Sequence, residues 1–81
     1  MLERLYVVNI LIENREGAYR QVNELLHDFA DVIRLRIGYP VPEENIAIIV
    51  LIVKTNNDVI GSLSGKLGQI KEVKVKTIPV K

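Results

Sequence analysis

The stretch IAIIVLIV, Ile46–Val53, holds eight consecutive residues without one polar side chain. It is too short to cross a bilayer, which takes about 20 apolar residues. A strand with one face in water alternates apolar and polar residues. This run does not alternate, so it reads as an interior strand that must be covered on both faces. Whatever fold the chain adopts has to supply those two covers.

The chain has 81 residues, enough for one domain spanning 1–81. A domain this small buries only about 60% of the surface its unfolded chain exposes, so its core needs support. Disulfides, metals and partner subunits are the usual supports. There is no cysteine and one histidine, which excludes disulfides, thiolate metal sites and multi-histidine sites. Oligomerisation remains. Eleven basic and ten acidic residues nearly cancel, so no strong field for nucleic acid is expected. The last sixteen residues are locally basic, with five lysines against Glu72. They read as a solvated edge strand, because lysine discourages unwanted strand pairing. The opening MLERLYVVNIL lacks a charged leader, a long apolar core and a cleavage site. A cytoplasmic address without a membrane span is expected by default.

Residues 3–13 read as a strand, with Tyr6, Val8, Ile10 and Ile12 on one face and Leu5, Val7, Asn9 and Leu11 on the other. The period then changes. Ala18, Val22, Leu25, Leu26 and Phe29 form a helical stripe, with Asn14 as its N-cap. Residues 31–41 alternate again: Ile33, Leu35 and Ile37 are expected on one face, Arg34 and Arg36 on a wet one. Pro40 and Pro42 are expected to end this strand. A second helix follows Ile46–Val53, capped by Asn56 or Asn57, with Ile60, Leu63 and Leu67 as its stripe. Gly68 is expected to close it in the left-handed conformation. The final strand alternates Val73 and Val75 with Lys74 and Lys76.

The order β-α-β-β-α-β is the split-βαβ, ferredoxin-like pattern of an α+β domain. Its antiparallel sheet runs 4-1-3-2 with both helices on one face. The two strands apolar on both faces are the first and third, the central ones, so pattern and topology agree. The helices then cover one side of Ile46–Val53, and nothing else in the chain covers the other. The patch left bare is at or beyond the few hundred Å² that monomers tolerate. Full burial of a large side chain yields roughly 1.5–3 kcal/mol, so six or seven outweigh an association cost of order 10 kcal/mol. A homo-oligomer, dimer or higher, is therefore expected, with Leu5, Val7, Asn9, Leu11, Ile49 and Leu51 at its interface. Asn9 either fixes the interface register or faces water at its rim.

No catalytic set is visible. His27 falls opposite the first helix's apolar stripe, on the wet face, with no second histidine or cysteine to join it. Glu13 and Glu16 flank a helix start and Glu43 and Glu44 sit in a turn, none beside a nucleophile or second base. No metal site, cofactor or enzyme activity is expected. The segment after the first strand is the best candidate for a small-molecule effector, through Glu13, Asn14, Arg15 and Gly17, because free N–H groups at a helix start attract anions. Gly61, Ser64 and Gly65 form a strip of small residues on the second helix. Each interior glycine costs about 1 kcal/mol relative to alanine. The strip serves either close packing within the chain or the approach of a ligand or partner.

The segment IENREGAYRQVNELLHDF resembles the opening of ACT domains, small regulatory modules of ferredoxin-like fold. Their loop commonly reads acid-x-x-Pro-Gly; Gly17 matches the glycine and Glu16 stands in the proline position. More of the chain is covered by a second resemblance. YRQVNELLHDF, IRLRIGYPV, IAIIVLIVKTNND and IGSLSGKLGQIKEVKVKT together resemble the ACT-like family known as iron-only hydrogenase system regulators. The resemblance implies a non-enzymatic regulatory or sensory domain acting as a homo-oligomer. It also implies kinship with the effector domain of the nickel-responsive repressor, which binds metal through several histidines and a cysteine; with one histidine and no cysteine here, that metal site is not expected to carry over. Two other classes stand beside it. One is an interaction or assembly module without a small ligand. The other is a nucleic-acid module using Arg34, Arg36 and the C-terminal lysines, against which the aliphatic sheet face argues, since RNA-binding versions of the fold carry aromatics there.

Overall fold

The computed structural model describes residues 2–80. The strands are β1 (Arg4–Ile12), β2 (Ile33–Val41), β3 (Ile46–Thr55) and β4 (Val73–Pro79), and the helices are α1 (Arg15–Asp28) and α2 (Asn57–Gly68). Short 3-10 turns at Ala30–Val32 and Pro42–Glu44 lead into β2 and β3. The strands form one sheet in the order β2-β3-β1-β4, and every neighbouring pair is antiparallel. This is the expected ferredoxin-like arrangement, read from the other edge.

The core lies between the helices and one sheet face. Tyr6, Val8, Ile10 and Ile12 of β1 are buried there, as period-two alternation requires. From the helices come Ala18, Val22 and Leu26 of α1 and Ile60, Leu63 and Leu67 of α2, one stripe each at helical spacing. Leu25 and Phe29 pack against this core half-buried. Asn56 caps α2 by accepting the Val59 N–H at 3.0 Å, which settles the choice between Asn56 and Asn57. Asn57 does separate work, accepting the Tyr6 hydroxyl at 2.9 Å.

The phase of β3 corrects an expectation. Ile49 and Leu51 are fully buried beneath the chain's own helices and cannot form an interface. They pair with Ile10 and Val8, and directly paired residues project to the same face of a sheet. Ile48, Val50 and Ile52 occupy the other face instead, opposite Leu11, Asn9 and Val7. An unbroken apolar run has no alternation from which a phase can be read, so the register had to decide.

The alternation expected in β2 is also broken. A bulge lies between Ile33 and Leu35. Ile33 pairs with Val53 and packs on the core, whereas Leu35 pairs with Ile52 and projects to the open face. One extra residue in a bulge flips everything after it. Leu35, Ile37 and Tyr39 thus lie on the open face, and Arg36 turns toward α1 to hydrogen-bond Asn23 Oδ1. The strand also runs through Pro40 to Val41, which an edge position permits.

Gly68 is not a left-handed cap. It is the last residue of α2, and the next residue, Gln69, is still right-handed at φ −83°. The left-handed turns fall at Asn45 (φ 57°) and Glu72 (φ 66°), just before β3 and β4.

Candidate functional site

The open face of the sheet is arranged in rows. Tyr39, Ile48, Leu11 and Lys74 form one row across β2, β3, β1 and β4. Ile37, Val50, Asn9 and Lys76 form the next, followed by Leu35, Ile52, Val7 and Ile78. Apart from Asn9 on β1 and Lys54, which pairs with Leu5 at the end of β3, three strands of the face are aliphatic or aromatic, and β4 adds two lysines along one border. Exposure is highest toward β2, where Ile37 is 55% and Tyr39 67% exposed. Leu5, Leu35, Ile48 and Ile78 are also large exposed apolar residues of this face. Of the expected interface set, Leu5, Val7, Asn9 and Leu11 all project here.

Asn9 is the one polar residue of β1 on this face. Its side-chain amide donates to the Lys76 carbonyl at 3.3 Å, which ties it to the edge strand. Beside it lies a shallow depression of about 330 Å³ lined by Asn9, Leu11, Ile48, Lys74 and Lys76. Lys74 Nζ reaches Glu13 Oε2 at 3.6 Å. Both are exposed, so the pair adds little stability.

The expected effector segment, Glu13, Asn14, Arg15 and Gly17, lies at the start of α1, where its backbone donors already have partners. The Arg15 N–H donates to the Asn45 carbonyl at 2.9 Å, and the Glu16 N–H to Asn45 Oδ1 at 3.2 Å. Gly17 N–H donates to Asn14 Oδ1 at 3.1 Å. The Asn14 and Asn45 side chains are joined in turn, Asn45 Nδ2 donating to Asn14 Oδ1 at 3.0 Å. Asn14 Nδ2 donates to Glu72 Oε1, also at 3.0 Å, and the Glu13 N–H to the Glu72 carbonyl at 2.8 Å. The three free donors that make a helix start attractive to anions are satisfied from within the chain. Gly17 has a local reason as well: a Cβ there would come within 2.7 Å of Asn14 Nδ2 and push the cap aside.

Arg15 itself points away from this cluster. Its guanidinium lies over the Tyr19 ring, 5.1 Å from the centroid, beside a cleft of about 110 Å³ between α1 and the β2–β3 edge. Arg15 Nε is buried there without a hydrogen-bond partner.

The two glycines of the small-residue strip on α2 do not pack within the chain. A Cβ on Gly61 or Gly65 would meet nothing within 4 Å. Close packing therefore does not account for these glycines. Ser64 faces the sheet, its hydroxyl 2.6 Å from that of Thr77. His27 is exposed, and among the described residues no three His, Cys, Asp or Glu side chains cluster at metal-binding distance. Arg34 and Arg36 on β2 and the lysines of β4 lie on opposite edges of the sheet, so they do not merge into one basic patch. No helix among the described residues is long and apolar enough to cross a membrane.

Sequence reasoning missed Asn45. The available signal was an asparagine directly after a Pro-Glu-Glu turn, since asparagine tolerates the left-handed conformation better than other non-glycine residues. It also missed Tyr39 as a face residue, which only the bulge explains.

Comparison with known proteins places this geometry. The structure of protein TM1266 from Thermotoga maritima is 64% identical in sequence, with a TM-score of 0.94, covering 99% of this chain and 100% of that one. The crystal structure of the ACT domain from GTP pyrophosphokinase of Chlorobium tepidum gives a TM-score of 0.79 at 22% identity, covering 95% of this chain and 100% of that one. The second likeness is one of fold. No curated protein matches the chain. A family model described as "TM1266-like: Iron-only hydrogenase system regulator, putative" matches residues 4–77. Fold and sequence agree: the chain, whose fold is like that of an ACT domain, belongs to the TM1266-like family.

Proposed function

We propose that this chain is a non-enzymatic regulatory domain of an iron-only hydrogenase system, and that it works as a homo-oligomer joined through its open sheet face. The family description supports the regulatory role. The single observation that carries the oligomer is the open face itself: three rows of side chains with Leu35, Ile37, Tyr39 and Ile48 exposed, on a domain too small to leave them so without cost. Sedimentation equilibrium at micromolar concentration tests it. A dimer or larger species is expected, and a stable monomer refutes it. The regulatory role predicts that deleting the gene changes hydrogenase output, whereas the purified chain has no turnover of its own.

One observation favours a second reading, an assembly module without a small-molecule effector. The α1 start, where an anionic effector would gain most, has its Arg15, Glu16 and Gly17 N–H groups satisfied by Asn14 and Asn45. Thermal denaturation with amino acids, nucleotides and metal ions separates the two. A shift of several degrees with one class supports an effector; no shift with any supports the assembly module.

A further inference from the structure

We infer that the two copies pack face to face about a twofold axis running parallel to the strands, so that β2 of one subunit lies over β4 of the other. This rests on the proposed homo-oligomer and specifies how its surfaces meet.

A homodimer interface is isologous, the same patch on both sides related by a twofold axis. Two sheets packed in the aligned manner can place that axis in only two ways, along the strands or across them. The rows of the open face distinguish these. With the axis across the strands, β4 lies over β4. Lys76 then meets Lys76 of the partner subunit along the β4 border of the interface. Lys76 makes no salt bridge among the described residues; Glu13 is engaged with Lys74, and Glu72, just before β4, accepts from Asn14 Nδ2. Like charges brought together without an acid oppose association. The same axis stacks β2 on β2 and leaves the Tyr39 rings without a cation.

With the axis along the strands, each row lies over its own reverse. Tyr39 meets Lys74 of the partner subunit, and Ile37 meets Lys76 of the partner subunit. In the third row, Leu35 lies over Ile78 of the partner subunit. The lysine stems cover apolar surface while their ammonium groups reach the rim. Lys74 gains an aromatic ring, Tyr39, that has no cation over it among the described residues. Val50 lies over Asn9 of the partner subunit, near the axis. There one Asn9 amide N–H stays bonded to the Lys76 carbonyl. The apolar border of the patch thus covers the charged border, on both sides at once.

The chain has no cysteine, so cysteine placement gives a clean test. Ile37→Cys and Lys76→Cys are made as separate chains, both at exposed positions. Each is probed with a bis-maleimide short enough to bridge sheets about 10 Å apart. Each variant alone, and the two after joint refolding, are run on denaturing gels, with sedimentation recording assembly beforehand. The inference expects a crosslinked dimer in the mixture and almost none with either chain alone. Self-crosslinking of Ile37→Cys or Lys76→Cys overturns the orientation while leaving the homo-oligomer intact. A dimer in sedimentation with no crosslink in any sample overturns it too. A monomer in sedimentation removes the oligomer on which it stands.

Discussion

The sheet has two faces built from the same kinds of residue, and they end in opposite circumstances. On the helix side, Val8, Ile10, Ile49 and Leu51 are sealed beneath α1 and α2. On the open side, Val7, Leu11, Ile48 and Val50 belong to the same two central strands and have nothing over them within the subunit. Apolar content alone therefore does not say which face of a strand is the core. The helices decide that, because their stripes are complementary to one face only. The difference teaches that the open face is the surface on which the proposed homo-oligomer rests.

Substitutions on the two faces should then fail in different ways. The largest effect is expected on the covered face. Leu51→Ala removes a fully buried side chain and should cost about 2–5 kcal/mol by denaturant unfolding, in excess of any change in association. If Leu51→Ala instead altered assembly with stability unchanged, the assignment of faces would be reversed. On the open face, Val50→Asp should turn the proposed homo-oligomer into a folded monomer, seen as a halved or smaller mass in sedimentation with the far-ultraviolet circular dichroism kept. An isolated carboxylate cannot be buried at an interface without a partner.

Smaller effects sharpen the contrast at the helix layer. Asn14→Ala removes the cap of α1 and leaves the Gly17 N–H and the Asn45 amide each short of a partner. It should lower stability by about 1–2 kcal/mol in a thermal melt, the upper part of the range for a lost N-cap. Smallest is Gly65→Ala. Because a Cβ meets nothing within 4 Å, the added methyl should raise stability by up to about 1 kcal/mol through helix propensity. A loss of stability or of assembly would mean that the outer face of α2 is covered as well, making it a third contact surface.

How much of this was legible in the sequence depended on whether a local pattern had a phase. The stripes of α1 and α2 and the alternation of β1 carry their phase in the residues themselves, and all three stand as expected. The order of strands followed from which two were apolar on both faces. Ile46–Val53 had no polar residue to mark a side, so Ile49 and Leu51 were assigned to the wrong one. In β2 the pattern was readable but the bulge at Arg34 inverted it partway. The site at the α1 start was only half visible: Asn14 is local to the helix, whereas Asn45 and Glu72 arrive from loops 31 and 58 residues away. Hydrogen bonds of that span leave no mark in spacing.

Those two long-range bonds have a mechanical meaning. Three separate turns, the ones leaving β1, entering β3 and entering β4, are laced together through the single side chain of Asn14 at one end of the sheet. A displacement of the turn entering β3 or of the turn entering β4 breaks a hydrogen bond to Asn14, so the placement of both turns is tied to the residue that caps α1.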